Sequence, residues 1–267
     1  GGQSYETYEA VDDRLLMPVV VQMVRPHLVT HAGVLADLRR EISLTERLKH
    51  PLIGRNLHHD ADSARPYVAL EKLPGRPLDQ ILSEQGTIPI EQAVSLGIGI
   101  ATVLHYLRIE EVVHLDVNTN NIILQDRVPR LIDFDIARPV REASALTFST
   151  GSPRCAAPEQ FAPPTHGRPG PASDIWGLGA TLFRCVSERF PFPLPSADPE
   201  ATPEERFPQA TVPHRDLPES VPRALVELID ACLHKSPDQR PTPLSVVTSL
   251  QSLMPQLANT IQPNSAN

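Results

Sequence analysis

Val113-His114-Leu115-Asp116-Val117-Asn118-Thr119-Asn120-Asn121-Ile122-Ile123-Leu124 is the stretch on which the reading of this chain turns. A histidine is followed two residues later by an aspartate and five residues after that by an asparagine, and an apolar run begins at once. A second apolar run, Arg130-Leu131-Ile132, ends in Asp133-Phe134-Asp135. The two runs read as a hairpin, with a carboxylate and a carboxamide in the loop before it and another carboxylate just past it. Phosphoryl transfer to a hydroxyl uses this donor set: one aspartate receives or orients the hydroxyl proton, while an asparagine and a second aspartate hold the metal that bridges the phosphates.

Working outward, the chain has 267 residues and is 40% hydrophobic, enough for one large domain or two lobes sharing a cleft. Its net charge is -8 with no block of like charge, which argues against nucleic acid as the main partner. Cys155, Cys185 and Cys232 have no metal or redox spacing, and an odd count fits a reducing cytoplasm. No signal peptide is visible. Ile90 to Leu107 is apolar almost all round and reads as a buried central helix, so no membrane contact is expected of this segment. The opening, Gly1 to Tyr5, reads as the inside of a loop, as if cut from a longer protein; a cytoplasmic location is expected, and any membrane anchor of the full-length protein is expected outside this segment.

Upstream, Thr7–Val11 and Val19–Val24 read as strands joined at Asp12-Asp13-Arg14. A helix follows, with Leu35, Leu38, Ile42, Thr45 and Leu48 on one face. Tyr67–Glu71 reads as a strand, and Pro74-Gly75 breaks the chain. Downstream, Ala137–Ala157 is irregular. Ser173–Ser187 reads as a second buried helix capped by Ser173 or Asp174. Pro191–Pro222 carries many of the chain's 29 prolines and is expected to be ordered but not helical. Ser220–His234 and Pro243–Met254 read as helices capped by Ser220 and Thr242, and a flexible tail or linker is expected over 255–267.

These features resemble the protein kinases, specifically the bacterial Ser/Thr kinases of eukaryotic type, over Tyr8 to Met254. Glu41 resembles the glutamate of their first helix. Leu70-Glu71-Lys72-Leu73 resembles the hinge, with Leu70 as gatekeeper. His114-Leu115-Asp116 through Asn121 resembles the catalytic loop, and Asp133-Phe134-Asp135 the metal motif. Ala157-Pro158-Glu159, Asp174-Ile175-Trp176 and Arg240-Pro241-Thr242 follow in the family's order. Small-molecule kinases share the first motifs but not these last three.

The resemblance implies an α+β bilobal fold. A small β-rich lobe with one major helix spans residues 1–73, a hinge lies at 71–74, and a larger, mainly helical lobe spans 75–254. It also implies ATP with Mg2+ or Mn2+, and a protein substrate or regulatory protein partner. Asp116, Asn121 and Asp133 take the catalytic roles. Asn121 and Asp133 hold the metal, with Asp135 as a further carboxylate. Val20 roofs the nucleotide site, Ile123 floors it, and Glu71 and Leu73 offer backbone groups to adenine; Gln22, Glu41 and Leu70 complete it. His114, Phe134, Glu159, Asp174 and Arg240 are structural, with Asp174 tying down the catalytic loop and Arg240 pairing with Glu159.

Departures from the pattern are equally specific. Gln22 stands at the lysine position of the third family strand, and Arg25 is expected on the opposite face from it. Leu115 replaces an arginine that receives a phosphate, which leaves switching through Ser144, Thr147, Ser149 or Thr150 without its usual acceptor. Asn118 replaces a lysine against the γ-phosphate. Asp135 replaces a glycine whose unusual φ aspartate tolerates. Gly1-Gly2-Gln3-Ser4-Tyr5 lacks the last glycine of the phosphate loop. Ser152 retains the hydroxyl of a threonine that bonds the catalytic aspartate. Two expectations follow: weak phosphotransfer to Ser/Thr of proteins, or a pseudokinase that binds nucleotide or a regulatory partner.

Overall fold

The computed structural model describes residues 4–163, 165–198 and 200–260. Gly1, Gly2 and Gln3 of the phosphate-loop resemblance, and 261–267 of the expected tail, lie outside them.

A four-stranded antiparallel sheet forms the first lobe. It contains β1 (Tyr5–Asp12), β2 (Met17–Val24), β3 (Asn56–Asp60) and β4 (Tyr67–Glu71), in the order β1-β2-β4-β3. Helix α1 (Ala32–Arg47) lies against this sheet. Val34, Leu38 and Ile42 on α1 meet Tyr5, Val24 and Val68 from the strands in a small core, as the three-and-four spacing requires. Strand β3, Asn-Leu-His-His-Asp, had no signal in the sequence because it carries no β-branched residue and is only half covered. Its pairing with β4 supplies the strand.

The second lobe is mainly helical. Strand β5 (Arg76–Pro77) leads into α2 (Leu78–Gln85) and then α3 (Ile90–Ile109). By length and composition α3 alone among the described helices could cross a bilayer. Here it is the axis of the larger core, packed against α6 (Pro171–Val186) and α10 (Pro243–Thr260). Between α3 and α6 come β6 (Val112–Val113), β7 (Ile122–Gln125), β8 (Val128–Leu131), β9 (Arg138–Pro139) and the single turns α4 (Val140–Ala143) and α5 (Pro158–Phe161). The β7–β8 hairpin turns on Asp126 and Arg127, both at positive φ, which suits a two-residue turn between twisted strands. Helix α9 (Arg223–Cys232) completes the core with Leu225, Ile229 and Cys232.

Several boundaries differ from the sequence reading. The cap of α6 is Gly170, and the Ser173 hydroxyl, three residues inside, accepts its N–H at 3.1 Å. The α9 helix starts at Arg223 behind Pro222, without Ser220 as cap. Thr242 does accept the Ser245 N–H at the start of α10, at 3.2 Å. That helix runs through Pro255 to Thr260, past the expected end at Met254, because Leu257 reaches the core. The proline-rich excursion holds two single turns, α7 (Pro203–Arg206) and α8 (Pro208–Thr211), each opened by a proline where its missing N–H costs nothing.

The two lobes are joined behind the cleft as well as at the hinge. After α1, the Gly54 N–H donates to the Leu131 carbonyl at 3.0 Å, and the Leu131 N–H donates to Leu52 at 2.8 Å. Strand β8 is thereby fixed immediately before Asp133.

Candidate active site

A cleft of about 570 Å³ opens between the lobes. Val20 and Gln22 line it from β2, Leu70 and Glu71 from β4, and Leu73 from the hinge. Ile123 faces them from β7. Glu41, Asn121, Asp133 and Phe134 close its inner end. The Glu71 carboxylate is turned into a bidentate pair with Arg55, at 2.8 and 3.1 Å, so its backbone is the part offered to a ligand. Arg25 lies away from the cleft and pairs with Glu6 at 3.6 Å.

The loop from His114 to Asn121 is held on all sides. Leu115 sits at φ 66, a conformation that costs a side-chain-bearing residue about 1–3 kcal/mol. Buried Asp174 accepts the N–H groups of His114 and Leu115 at 2.9 and 2.7 Å. From the other side, Gln160 Nε2 donates to the Leu115 carbonyl at 2.7 Å. Gly151, at φ 90, approaches that carbonyl so closely that a Cβ would stand 2.9 Å from it. Next comes His114, whose Nδ1 accepts the Asp116 N–H at 3.2 Å; its Nε2 therefore carries the proton toward the Ile132 carbonyl, also at 3.2 Å. Complete burial lowers its pKa to about 4, so the ring is neutral. Phe134 packs edge-on against it, with ring centroids 4.7 Å apart.

Asp116 is oriented by two donors. Asn121 Nδ2 reaches its Oδ2 at 2.8 Å, and the Ser152 backbone N–H reaches its Oδ1, also at 2.8 Å. The Ser152 hydroxyl was expected in that role. Instead it accepts from Asn118 Nδ2 at 3.3 Å, because the Ser152 main chain already occupies the aspartate. Asn118 is likewise turned into the loop: it donates to the Asp116 carbonyl at 3.0 Å and accepts the Asn120 N–H at 2.8 Å. It is buried and presents nothing to a phosphate.

The inner end of the cleft is acidic. Asp133, at φ 65, has a buried Oδ1 without a hydrogen-bond partner. The strained backbone therefore falls on Asp133 and not on Asp135, the residue that replaces the glycine. Burial and, after it, the Asp116 charge raise the Asp133 pKa. Burial with Asp133 and Asp116 nearby raises Asp135 to about 7. Glu41 is pushed up to about 8, by burial first and then by Asp133 and Asp135, against a smaller opposing pull from Arg40. Glu41 Oε2 and Gln22 Oε1 are also buried without partners. Among the described residues no three His, Cys, Asp or Glu side chains cluster as a metal site. Asn121 and Asp133 line the cleft and could hold a metal ion, with Asp135 two residues on as a further carboxylate. The unpartnered Asp133 Oδ1 fits that use. Asn121 commits its Nδ2 to Asp116 and keeps its Oδ1 as an acceptor.

Around the site the buried Glu159 meets Arg240 through two nitrogens, at 2.6 and 2.9 Å, and also accepts the Ser173 hydroxyl at 2.7 Å. Arg240 stacks over Trp176 at 4.9 Å. Removing one partner of such a pair costs about 3–5 kcal/mol. Two contributors escaped the sequence reading. Gln160 follows the Ala-Pro-Glu motif directly, and only its contact with Leu115 reveals its use. Arg40, beside Glu41, donates to the carbonyls of Ala137 and Asp135 at 3.1 and 3.2 Å and pairs with Asp37 at 2.7 Å, binding α1 to the segment after Asp133. Leu115 itself packs with Val113, Ala143 and Leu146, so apolar contact occupies the place where a basic side chain was expected.

The sequence profile of the protein kinase domain matches residues 1–251. The chain is 30% identical over 239 residues to the probable serine/threonine-protein kinase PkwA of Thermomonospora curvata, covering 88% of this chain and 31% of that protein. It is 29% identical over 241 residues to the serine/threonine-protein kinase PkaA of Streptomyces coelicolor, covering 87% and 42%. Its identity to the DNA damage-responsive serine/threonine-protein kinase RqkA of Deinococcus radiodurans is 26% over 259 residues, covering 94% and 38%. The chain thus spans about a third to two fifths of the length of these relatives.

Proposed function

The chain belongs to the protein kinase domain family, and from that premise we propose that it binds ATP with Mg2+ or Mn2+ and transfers the γ-phosphate, slowly, to Ser/Thr hydroxyls of a protein substrate. The observation that carries this reading is Asp116. Its carboxylate is aimed by the Asn121 amide and the Ser152 N–H, and each oxygen keeps a lone pair for an incoming hydroxyl. In this reading Asp116 receives the hydroxyl proton as the new phosphorus–oxygen bond forms and the bond from the γ-phosphorus to the bridging oxygen breaks, with ADP as leaving group. Asn121 Oδ1 and Asp133 would hold the metal. The bound metal neutralises charge on the phosphates and orients them. Val20, Leu70 and Ile123 sandwich the adenine, while the backbone of Glu71 and Leu73 hydrogen-bonds its edge. His114, Phe134, Asp174, Glu159 and Arg240 position these groups and touch no substrate.

Transfer is slow in this reading because the cationic side chains expected beside the phosphates are absent. Gln22 offers an amide and Asn118 faces inward. Losing a charge-assisted contact to the transferring group costs ~10²–10³ in rate. The same observation supports a second reading, a pseudokinase that binds nucleotide or a regulatory partner without turnover. Three free, buried cysteines are compatible with a cytoplasmic setting.

Radiolabelled transfer by the purified chain to itself or to a basic protein separates the two readings. The kinase reading expects a low rate abolished by Asp116→Asn, with Mg-ATP still raising the melting temperature. Stabilisation by Mg-ATP without transfer would establish the pseudokinase reading.

A further inference from the structure

At the inner end of the cleft three oxygen atoms from three separate elements are buried without a hydrogen-bond partner: Gln22 Oε1 from β2, Glu41 Oε2 from α1 and Asp133 Oδ1 after β8. Glu41 is 1% exposed. Buried polar groups are normally satisfied, and three oxygens lining one space repel each other unless a proton on Glu41, another donor or a cation joins them.

Among the described residues, the basic side chains near that space are committed elsewhere. Lys72 pairs with Glu9 at 2.6 Å. Arg55 and Arg130 both serve Glu71, at 2.8 and 3.9 Å. Arg40 pairs with Asp37 and two carbonyls. No basic side chain of the described cleft lining reaches Glu41.

We propose that Gln22 Oε1, Glu41 Oε2 and Asp133 Oδ1 form a binding site for a hard divalent cation, which supplies the positive charge that no side chain of the cleft supplies. Oxygen-only donors, two of them carboxylates, select Mg2+ or Mn2+ over thiophilic metals. Three protein oxygens leave three positions of an octahedron for water or for phosphate oxygens. The site shares Asp133 Oδ1 with the Asn121–Asp133 pair and differs from it in Gln22 from β2 and Glu41 from α1. The proposal concerns the cleft assigned above but does not need phosphoryl transfer to occur.

The test uses Mn2+ alone, without nucleotide, on the full 267-residue chain, counting free ion by its paramagnetic resonance signal. Wild type is expected to retain Mn2+, with Mg2+ competing for it. Gln22→Met, which keeps the side-chain length, and Glu41→Gln, which keeps the shape, each weaken binding at least tenfold. Gln22→Lys, which places an ammonium in the site, abolishes the Gln22-dependent binding. Asn121→Ala, which removes a ligand of the neighbouring pair, lowers the number of ions retained and leaves the Gln22-dependent share in place. Circular dichroism without metal checks that each variant folds, and the three variants at two positions keep the test intact if one does not. Three results would overturn the proposal: no Mn2+ retained by wild type up to millimolar concentration, unchanged binding in both Gln22→Met and Glu41→Gln, or loss of all binding in Asn121→Ala alone.

Discussion

Asp174 shows at the scale of one residue how the catalytic loop is kept in a strained shape. It is buried, and it accepts two successive N–H groups where Leu115 turns to positive φ. Burial raises its pKa to about 7, and the two hydrogen bonds oppose that rise. Between the ordinary carboxylate range and about 7, the folded protein therefore holds a proton that the unfolded chain has released. The stability this group contributes is present at low pH and is lost as pH rises toward 7, at up to ~1.4 kcal/mol per pH unit. Asp174→Asn is expected to lower stability at neutral pH by about 1–3 kcal/mol, since an amide cannot accept both bonds. It should also remove that share of the slope, as read by urea unfolding between pH 5 and 8. Asp116 and Asn121 stood out by their spacing in one motif, and the Glu159–Arg240 pair was implied by the family resemblance. The fates of Asn118 and Ser152 were not legible. A carboxamide or hydroxyl serves loop or ligand equally well by type, and only the crowding around Asp116 decides.

Among the elements, α1 does more than cover the sheet. Its apolar face was readable from the repeat of Leu38 and Ile42. Its polar edge was not, because a helical Arg40 is by default a solvated side chain. Here Arg40 fastens α1 to the carbonyls of Asp135 and Ala137 and so ties the helix to the opening of the following segment. Arg40→Ala removes two charge-assisted bonds of about 1.5–3 kcal/mol each. Amide exchange over residues 136–146 is then expected to quicken by tenfold or more while exchange in α3 stays unchanged. Equal acceleration of both would mean global destabilisation. The elements that periodicity missed are β3, α2 and the single turns, all short or weakly patterned. Extension of α10 past Pro255 was masked by the proline itself, and packing of Leu257 outweighs that local signal.

At the scale of the whole molecule, the two-lobed architecture was implied by the family resemblance, carried by motifs that occur in one order. What the sequence could not show is that Gln22, Glu41 and Asp133 end as unpartnered oxygens in one acidic space. The claim at the centre of this account is that the site is complete in base and metal ligands and short of positive charge. The most direct measurement is the rate of labelled phosphate transfer from Mg-ATP by Gln22→Lys beside wild type, with Asp116→Asn placed in each background. The account predicts that the lysine raises the rate ~10²–10³-fold and that Asp116→Asn abolishes the gain. A folded Gln22→Lys protein that transfers no faster than wild type, or a gain that survives Asp116→Asn, would contradict it.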